Sequence, residues 1–184
     1  MAANQRFYLH TVGITTSLLA SGSILSFSTF DVPQLQNPSQ PTSSTLQNVR
    51  FLFSRGSHVF PYAAAIAAGA FGALAYMTPE GPDFASIASP REYQNTRSLY
   101  WTAAASALSI LPYTVFFMLP TANGPLREMV SKQEKGENVS DSAVRDMLDR
   151  FAWQNAIRGL LIGAGGVVGL YTALRRIGAE KLVS

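Results

Sequence analysis

Seven side chains of this 184-residue chain have the chemistry to act together: His58, Arg158, Asn155, Asn123, Trp153, Arg55 and Tyr62. Histidine titrates near neutral pH and can take or give a proton. Arginine is a fixed cation, and each asparagine supplies an amide donor and an acceptor. Phe151, Asn155, Arg158 and Ile162 stand at i, i+4, i+7 and i+11, so on a helix they share one face. Trp153 is two residues from Asn155 and points nearly opposite, so it joins the same pocket only where the helix bends or the pocket wraps around it. His58 and Tyr62 are i,i+4 neighbours, with Pro61 expected in the first helical turn, where its missing N–H costs little. Such a set can move a proton and hold developing negative charge beside an apolar reactant. Each residue also has a plainer reading. Arg158 could pair with a loop carboxylate or a lipid phosphate, the asparagines could bridge helices, Trp153 could anchor at a membrane interface, and His58 could line a helix start.

Other chemistries lack their residues. There is no cysteine, so no disulfide, thiolate ligand or thiol nucleophile is expected. The two histidines, His10 and His58, fall at opposite ends of apolar segments and cannot share one metal ion; His10 reads as structural. No nucleophile elbow, Walker loop or dinucleotide fingerprint occurs. The net charge of +3 comes from scattered residues, which argues against a nucleic-acid partner.

The elements that must position these residues are membrane spans. Hydrophobic residues make up 47% and charged residues 14% of the chain, against about 25% charged in a typical soluble domain. A hydrocarbon core about 30 Å thick needs roughly 20 apolar helical residues. Four windows qualify, at about 8–30, 58–78, 98–120 and 154–174, and only His10, His58 and Arg158 can carry charge inside them. The first window is longer than the h-region of a signal peptide and is retained as structure. The fold expected is all-α, a single membrane domain over 1–184: a transmembrane four-helix bundle with an amphipathic helical extension before the fourth span. Gly69 and Gly72, and the spacings Gly159–Gly163 and Gly165–Gly169, read as seams for close helix packing. Residues 31–57 look irregular, 79–97 read as a turn-rich connector, and Thr121 to Pro125 read as a turn. A helix is expected to start at Ser140 as N-cap, with Val144, Leu148 and Phe151 facing inward and Arg145 and Asp149 paired at i,i+4.

With four spans, the start of span two, the end of span three and the start of span four share one face of the bilayer. His58, Asn123, Asn155 and Arg158 gather there, with Arg55 and Trp153 beside them. Ionisable residues at membrane depth usually have a function, a partner or a cavity. Lys and Arg divide nearly evenly between the two sides, so the positive-inside rule leaves the orientation open. Asn138-Val139-Ser140 is a glycosylation sequon, and Ser140 is equally explained as a helix cap.

Two stretches resemble a known family. Pro112-Tyr113-Thr114-Val115-Phe116-Phe117-Met118-Leu119-Pro120-Thr121-Ala122-Asn123, followed by Leu126, resembles the end of the third helix in the DUF1772 family. Trp153-Gln154-Asn155-Ala156-Ile157-Arg158 resembles that family's W-x-N-x-x-R start of the fourth helix. The wording is closest to the fungal branch that includes the anthrone oxygenases of aromatic polyketide pathways. Ala122 stands as an extra residue where the family more often has Pro-Thr-Asn.

The resemblance implies a membrane monooxygenase of secondary metabolism that uses molecular oxygen without metal, flavin or haem. It would oxidise an anthrone at its methylene carbon to an anthraquinone. On this reading His58 is the general base, Arg158 and Asn155 hold the enolate or peroxide oxygen, Trp153 stacks on the rings, and Asn123 orients a phenol. Arg55 and Tyr62 complete the substrate contacts. The partners expected are an apolar aromatic small molecule, oxygen and the lipid bilayer, with a homo-oligomer left open. The location expected is the endoplasmic reticulum or another endomembrane. Two further readings stand beside this one: a non-catalytic bundle acting as a scaffold or binding lipid or a partner, and a small carrier, against which the lack of an internal repeat counts.

Overall fold

The computed structural model describes residues 2–78 and 90–181, and side chains over 4–78 and 96–176. Regular structure among the described residues is helical throughout, with no strand. In chain order it comprises α1 (Ala2–Ser26), a π-helical turn (Phe27–Asp31), α2 (Val32–Leu35), α3 (Thr42–Tyr76), α4 (Pro90–Leu108), α5 (Ile110–Tyr113), a π-helix (Thr114–Asn123), α6 (Gly124–Glu134) and α7 (Asp141–Lys181). Four helical stretches are long and apolar enough to cross a membrane: Asn4–Leu35, Thr42–Tyr76, Thr96–Glu134 and Asp141–Arg176. The all-α, four-span class is therefore the one observed. Of the connector expected at 79–97, residues 79–89 lie outside the described residues, and α4 already begins at Pro90.

The helices outrun the apolar windows. Residues 31–57 are mostly helical rather than irregular, because polar residues there cover a buried apolar face that includes Leu46 and Val49. Pro61 consequently lies inside α3 and not in its first turn. Having no N–H, it leaves the carbonyl of Ser57 without its helical donor. Thr121 to Pro125 is not a turn either: the π-helix runs into α6 without a break.

The chain divides into two compact units whose boundaries fall inside the long helices. Residues 1–20, 63–109 and 161–184 form one. Its core is rich in alanine, with Ala64, Ala67, Ala103 and Ala107 wholly buried around Phe71 and Tyr100. Small residues let backbones approach closely, which is how helices associate in lipid. A Cβ at Gly165 would stand 2.7 Å from the carbonyl oxygen of Ala103. Ser106 Oγ donates to the Leu161 carbonyl at 2.7 Å, and His10 Nε2 shares a 2.7 Å hydrogen bond with the Tyr100 hydroxyl. Gly69 is not part of a seam, since a Cβ there would meet nothing within 4 Å.

Residues 21–62 and 110–160 form the second unit. Val32, Leu46, Met118, Leu126, Val144 and Leu148 centre its core. As the periodicity predicts, Val144, Leu148 and Phe151 are buried. Arg145 does not pair with Asp149: it reaches back to Asp141 at 2.7 Å and donates to the Gln36 carbonyl at 2.8 Å, while Asp149 accepts from Gln36 Nε2 at 2.7 Å. The turn after α2 supplies a nearer partner for each charge than they are for one another. Gln154 Nε2 donates to Thr121 Oγ1 at 2.7 Å, tying α7 to the π-helix.

Candidate functional site

Within the second unit a cavity of about 220 Å³ opens between α3, the π segments, α6 and α7. Phe27, Leu52, Phe53, Phe60, Leu111, Val115, Leu119 and Phe151 make most of its wall apolar. Its polar lining is Ser57, Thr114, Asn123, Arg127, Asn155 and Arg158, with no carboxylate among them. Prolines and π-helix shape it. Pro61 and Gly56 thin the α3 wall, and the π-helix carries Thr114, Val115, Leu119 and Asn123 to it. Stretches of π-helix recur at functional sites because they displace side chains from α-helical register.

Arg158 sets the electrostatics. It is 8% exposed, and its Nη1 donates to Asn155 Oδ1 at a long 3.3 Å. Its guanidinium lies 5.7 Å from the centroid of the Phe60 ring. Its Nε has no hydrogen-bond partner, and among the described residues no carboxylate pairs with it. Asn155, 3% exposed, is oriented by α1: its Nδ2 donates to the Ile24 carbonyl at 3.2 Å and to Ser28 Oγ at 3.3 Å. That leaves Asn155 Oδ1 turned to Arg158. Asn123 is 9% exposed, and its Oδ1 also lacks a partner. A buried cation without a counterion is costly. Here it faces a cavity beside an unused acceptor, an arrangement suited to a ligand that brings partial negative charge and a hydroxyl.

Of the seven residues singled out from the sequence, the cavity brings together Asn123, Asn155 and Arg158. The other four do not line it. Trp153 and Tyr62 are 70% and 69% exposed, on the outer faces of α7 and α3. Arg55 is exposed, lying over the Phe51 ring. His58 is exposed as well, with Nδ1 at 2.8 Å from the Ser54 carbonyl oxygen and 3.2 Å from Ser57 Oγ. Helical geometry accounts for these placements: Trp153 is about 200° around α7 from Asn155, and His58 is one step past Ser57, which does line the cavity. His10 belongs to the first unit, bonded to Tyr100.

Sequence reasoning passed over Ser57, Phe60, Thr114 and Arg127. Signals for three of them existed. Thr114 lies in the family-like stretch of the third span, Arg127 follows the leucine after it, and Ser57 is four residues before Pro61, where a carbonyl must go free. Among the described residues no three His, Asp or Glu side chains gather at metal-ligand spacing.

Comparison with known proteins places this geometry in a lineage. Residues 49–168 match the family model described as anthrone oxygenase. The chain is 33% identical to the anthrone oxygenase encC of Aspergillus fumigatus, over 89% of this chain and 91% of the relative. It is 28% identical to an anthrone oxygenase of Claviceps purpurea, over 88% of this chain and 86% of the relative. It is also 28% identical to the anthrone oxygenase tpcL of Aspergillus fumigatus, over 90% of this chain and 92% of the relative. No solved structure matches the chain.

Proposed function

The chain belongs to the anthrone oxygenase family, and on that premise we propose that it oxidises the methylene carbon of an anthrone-like polyketide to a ketone, using molecular oxygen and no cofactor. The observation that carries the reading is Arg158, a buried cation that has no counterion among the described residues and faces an apolar cavity with Asn155 at its side. The methylene of an anthrone is acidified by the ketone across the ring and by both flanking rings. Removing its proton places negative charge on the ketone oxygen as an enolate. Arg158 Nε and the guanidinium face hold that oxygen, which lowers the cost of deprotonation. Asn123 Oδ1 takes a hydrogen bond from a phenolic hydroxyl, and Phe60 and Phe53 pack on the rings.

The proton leaves toward His58 by way of Ser57, which lines the cavity and whose Oγ stands 3.2 Å from His58 Nδ1. The Ser54 carbonyl oxygen can only accept, so Nδ1, 2.8 Å from it, carries a proton and donates. Nε2 therefore holds the ring's lone pair and takes the methylene proton, relayed by the Ser57 hydroxyl and water. His58 thus keeps the role of base although it does not itself line the cavity. The carbanion gives its electrons to oxygen and forms a carbon–oxygen bond, yielding a hydroperoxide. Loss of the second methylene hydrogen with cleavage of the O–O bond releases water and leaves the ketone, so one oxygen molecule is consumed for each CH₂ converted to C=O and water. The apolar wall keeps bulk water from the carbanion. Trp153, Tyr62 and Arg55, being outside the cavity, would act at the route of entry from the bilayer rather than on the rings. An endomembrane such as the endoplasmic reticulum is the location this reading expects.

Membranes carrying the protein, incubated under air with emodin anthrone, should form anthraquinone faster than empty membranes do. Well-expressed, folded protein that gives only the spontaneous rate would overturn the assignment.

A further inference from the structure

The turn between α6 and α7 carries the one N-x-Ser/Thr sequence of this chain that can accept an N-linked glycan, Asn138-Val139-Ser140. Asn37-Pro38-Ser39 has the same outer residues, but a proline between them excludes it. Of the two readings of Ser140, the cap does not use its hydroxyl. The Ser140 carbonyl accepts from Val144 N–H at 3.1 Å and so opens α7, but Ser140 Oγ meets Ser142 Oγ at 2.9 Å rather than an N–H of the first turn. Local structure presents Asn138 outward. Glu137 N–H donates to the Lys132 carbonyl at 3.0 Å and Gly136 N–H to that of Gln133 at 3.1 Å, with Gly136 at a φ of 75°, so α6 ends in a Schellman turn. From Glu137 to Ser140 the chain is irregular. Val139 packs against the core of the second unit, while Asn138 beside it is exposed, with no hydrogen bond to its amide among the described residues. A glycan there extends into water and displaces no contact. The eleven residues of α6 span roughly 16 Å. The part of α7 ahead of Trp153 adds about as much on the other side, which sets the turn apart from the apolar windows.

Summed over all loops the basic residues balance, but beside the first span, which usually dominates orientation, they do not. Arg6 precedes that span, and residues 31–49 after it contain no Lys or Arg. Lys and Arg favour the cytoplasmic side, so residues 31–57 and, two crossings later, 121–153 face the lumen. We propose that Asn138 is an N-glycosylation site, and that the membrane face at which the cavity lies is the lumenal one. Cavity and turn belong to the same unit. In the transfer, Asn138 Nδ2 bonds to the anomeric carbon of an oligosaccharide carried on a polyprenyl diphosphate. The bond from that carbon to the diphosphate oxygen breaks, the diphosphate leaves with the electron pair, and the amide gives up one proton. The site rests on the endomembrane location proposed above and on none of the oxidation chemistry.

The test expresses the full chain in a fungal host and reads its gel migration before and after peptide-N-glycosidase F. The wild type should run as a slower band that the amidase collapses. Asn138→Gln and Ser140→Ala should run at the collapsed position untreated, and Ser140→Thr should keep the slower band. A second readout fixes the face. The chain has no cysteine, so Lys135→Cys supplies a single thiol in the same turn. In sealed microsomes that variant should resist a membrane-impermeant maleimide, and it should react once detergent opens them. Migration that the amidase leaves unchanged, or a slower band that persists in Asn138→Gln, would overturn the site. Labelling of Lys135→Cys in sealed microsomes would overturn the lumenal face, and a protected thiol in a chain without glycan would remove the modification. Turnover of emodin anthrone by the same microsomes is read separately: oxidation without the glycan removes the site and leaves the oxygenase, and a glycan without oxidation does the reverse.

Discussion

Arg158→Met separates the stability of this protein from its chemistry. The wild-type guanidinium is 8% exposed and makes one long hydrogen bond, 3.3 Å to Asn155 Oδ1, and one ring contact at 5.7 Å. The first contributes about 0.5 kcal/mol, and the second about 0.5–2 kcal/mol. Losing the donor also leaves Asn155 Oδ1 unsatisfied, a cost of about 1 kcal/mol. Against these stands the burial of a cation with an orphaned Nε and no counterion among the described residues. Replacing buried charges with apolar groups of similar volume is often neutral or stabilising by about 1–4 kcal/mol. The sum lies between a loss of about 3.5 and a gain of about 2 kcal/mol, so the melting temperature in detergent should change modestly. Turnover should fall steeply. Removing a donor aimed at a developing oxyanion costs about 10²–10³ in rate. Anthrone oxidation followed by absorbance, beside thermal unfolding of the same preparation, reads both quantities. Arg175→Ala, in the other unit, removes a charge of the same sign and should change turnover little. A variant that melts early and still turns over like the wild type would refute the reasoning, because Arg158 would then be a structural residue.

Two further outcomes test the proton route and the packing. Ser57→Ala, His58→Ala and the double variant should each lose about 10²-fold or more in turnover and by the same factor, since the two residues act in series; unchanged turnover in His58→Ala would send the proton elsewhere. Gly165→Ala should destabilise by about 1–3 kcal/mol, because its Cβ would meet the Ala103 carbonyl oxygen at 2.7 Å and the Ala107 nitrogen at 3.1 Å, and backbone atoms cannot swing aside. Gly69→Ala, with open space around the new methyl, should be neutral or slightly stabilising, and equal melting of the two variants would show that the Gly165 seam is not tight.

The spans were legible because a run of apolar residues long enough to cross a bilayer is an unambiguous signal. Helix ends were not, because an apolar window marks what lies in lipid and says nothing of how far the helix continues. Residues 42–57 are polar enough to look like a loop, yet Leu46, Val49 and Phe53 recur at i, i+3 and i+7, and that spacing was the available sign of a helix with one buried face. Asn155 and Arg158 were legible from their own spacing, since the inward-facing Phe151 and Ile162 bracket them on the same stripe. For His58, Arg55 and Tyr62 the sequence carried nearness to the site but no facing, because no inward residue on their own helix set the phase; Trp153, two residues from Asn155, already pointed nearly opposite it. Arg127 escaped because a charge just past an apolar window reads as an interfacial anchor until a cavity is seen beside it.

Asn123 shows how a local irregularity becomes a functional placement. In an α-helix residue i+4 returns over residue i, whereas in a π-helix, with its i→i+5 bonds, both i+4 and i+5 come back over it. Ala122 lies within this wider winding. Met118, Ala122 and Asn123 are all buried, and Gly124 N–H donates to the Leu119 carbonyl five residues back. Gly124 is needed at that point, since a Cβ there would stand 2.6 Å from the Leu119 oxygen. Ordinary α-helical winding from Met118 would bring Ala122 inward and rotate Asn123 off the buried stripe. The π-helix keeps both inside, and that winding is what holds Asn123, with its unpartnered oxygen, at the wall of the cavity that Arg158 charges.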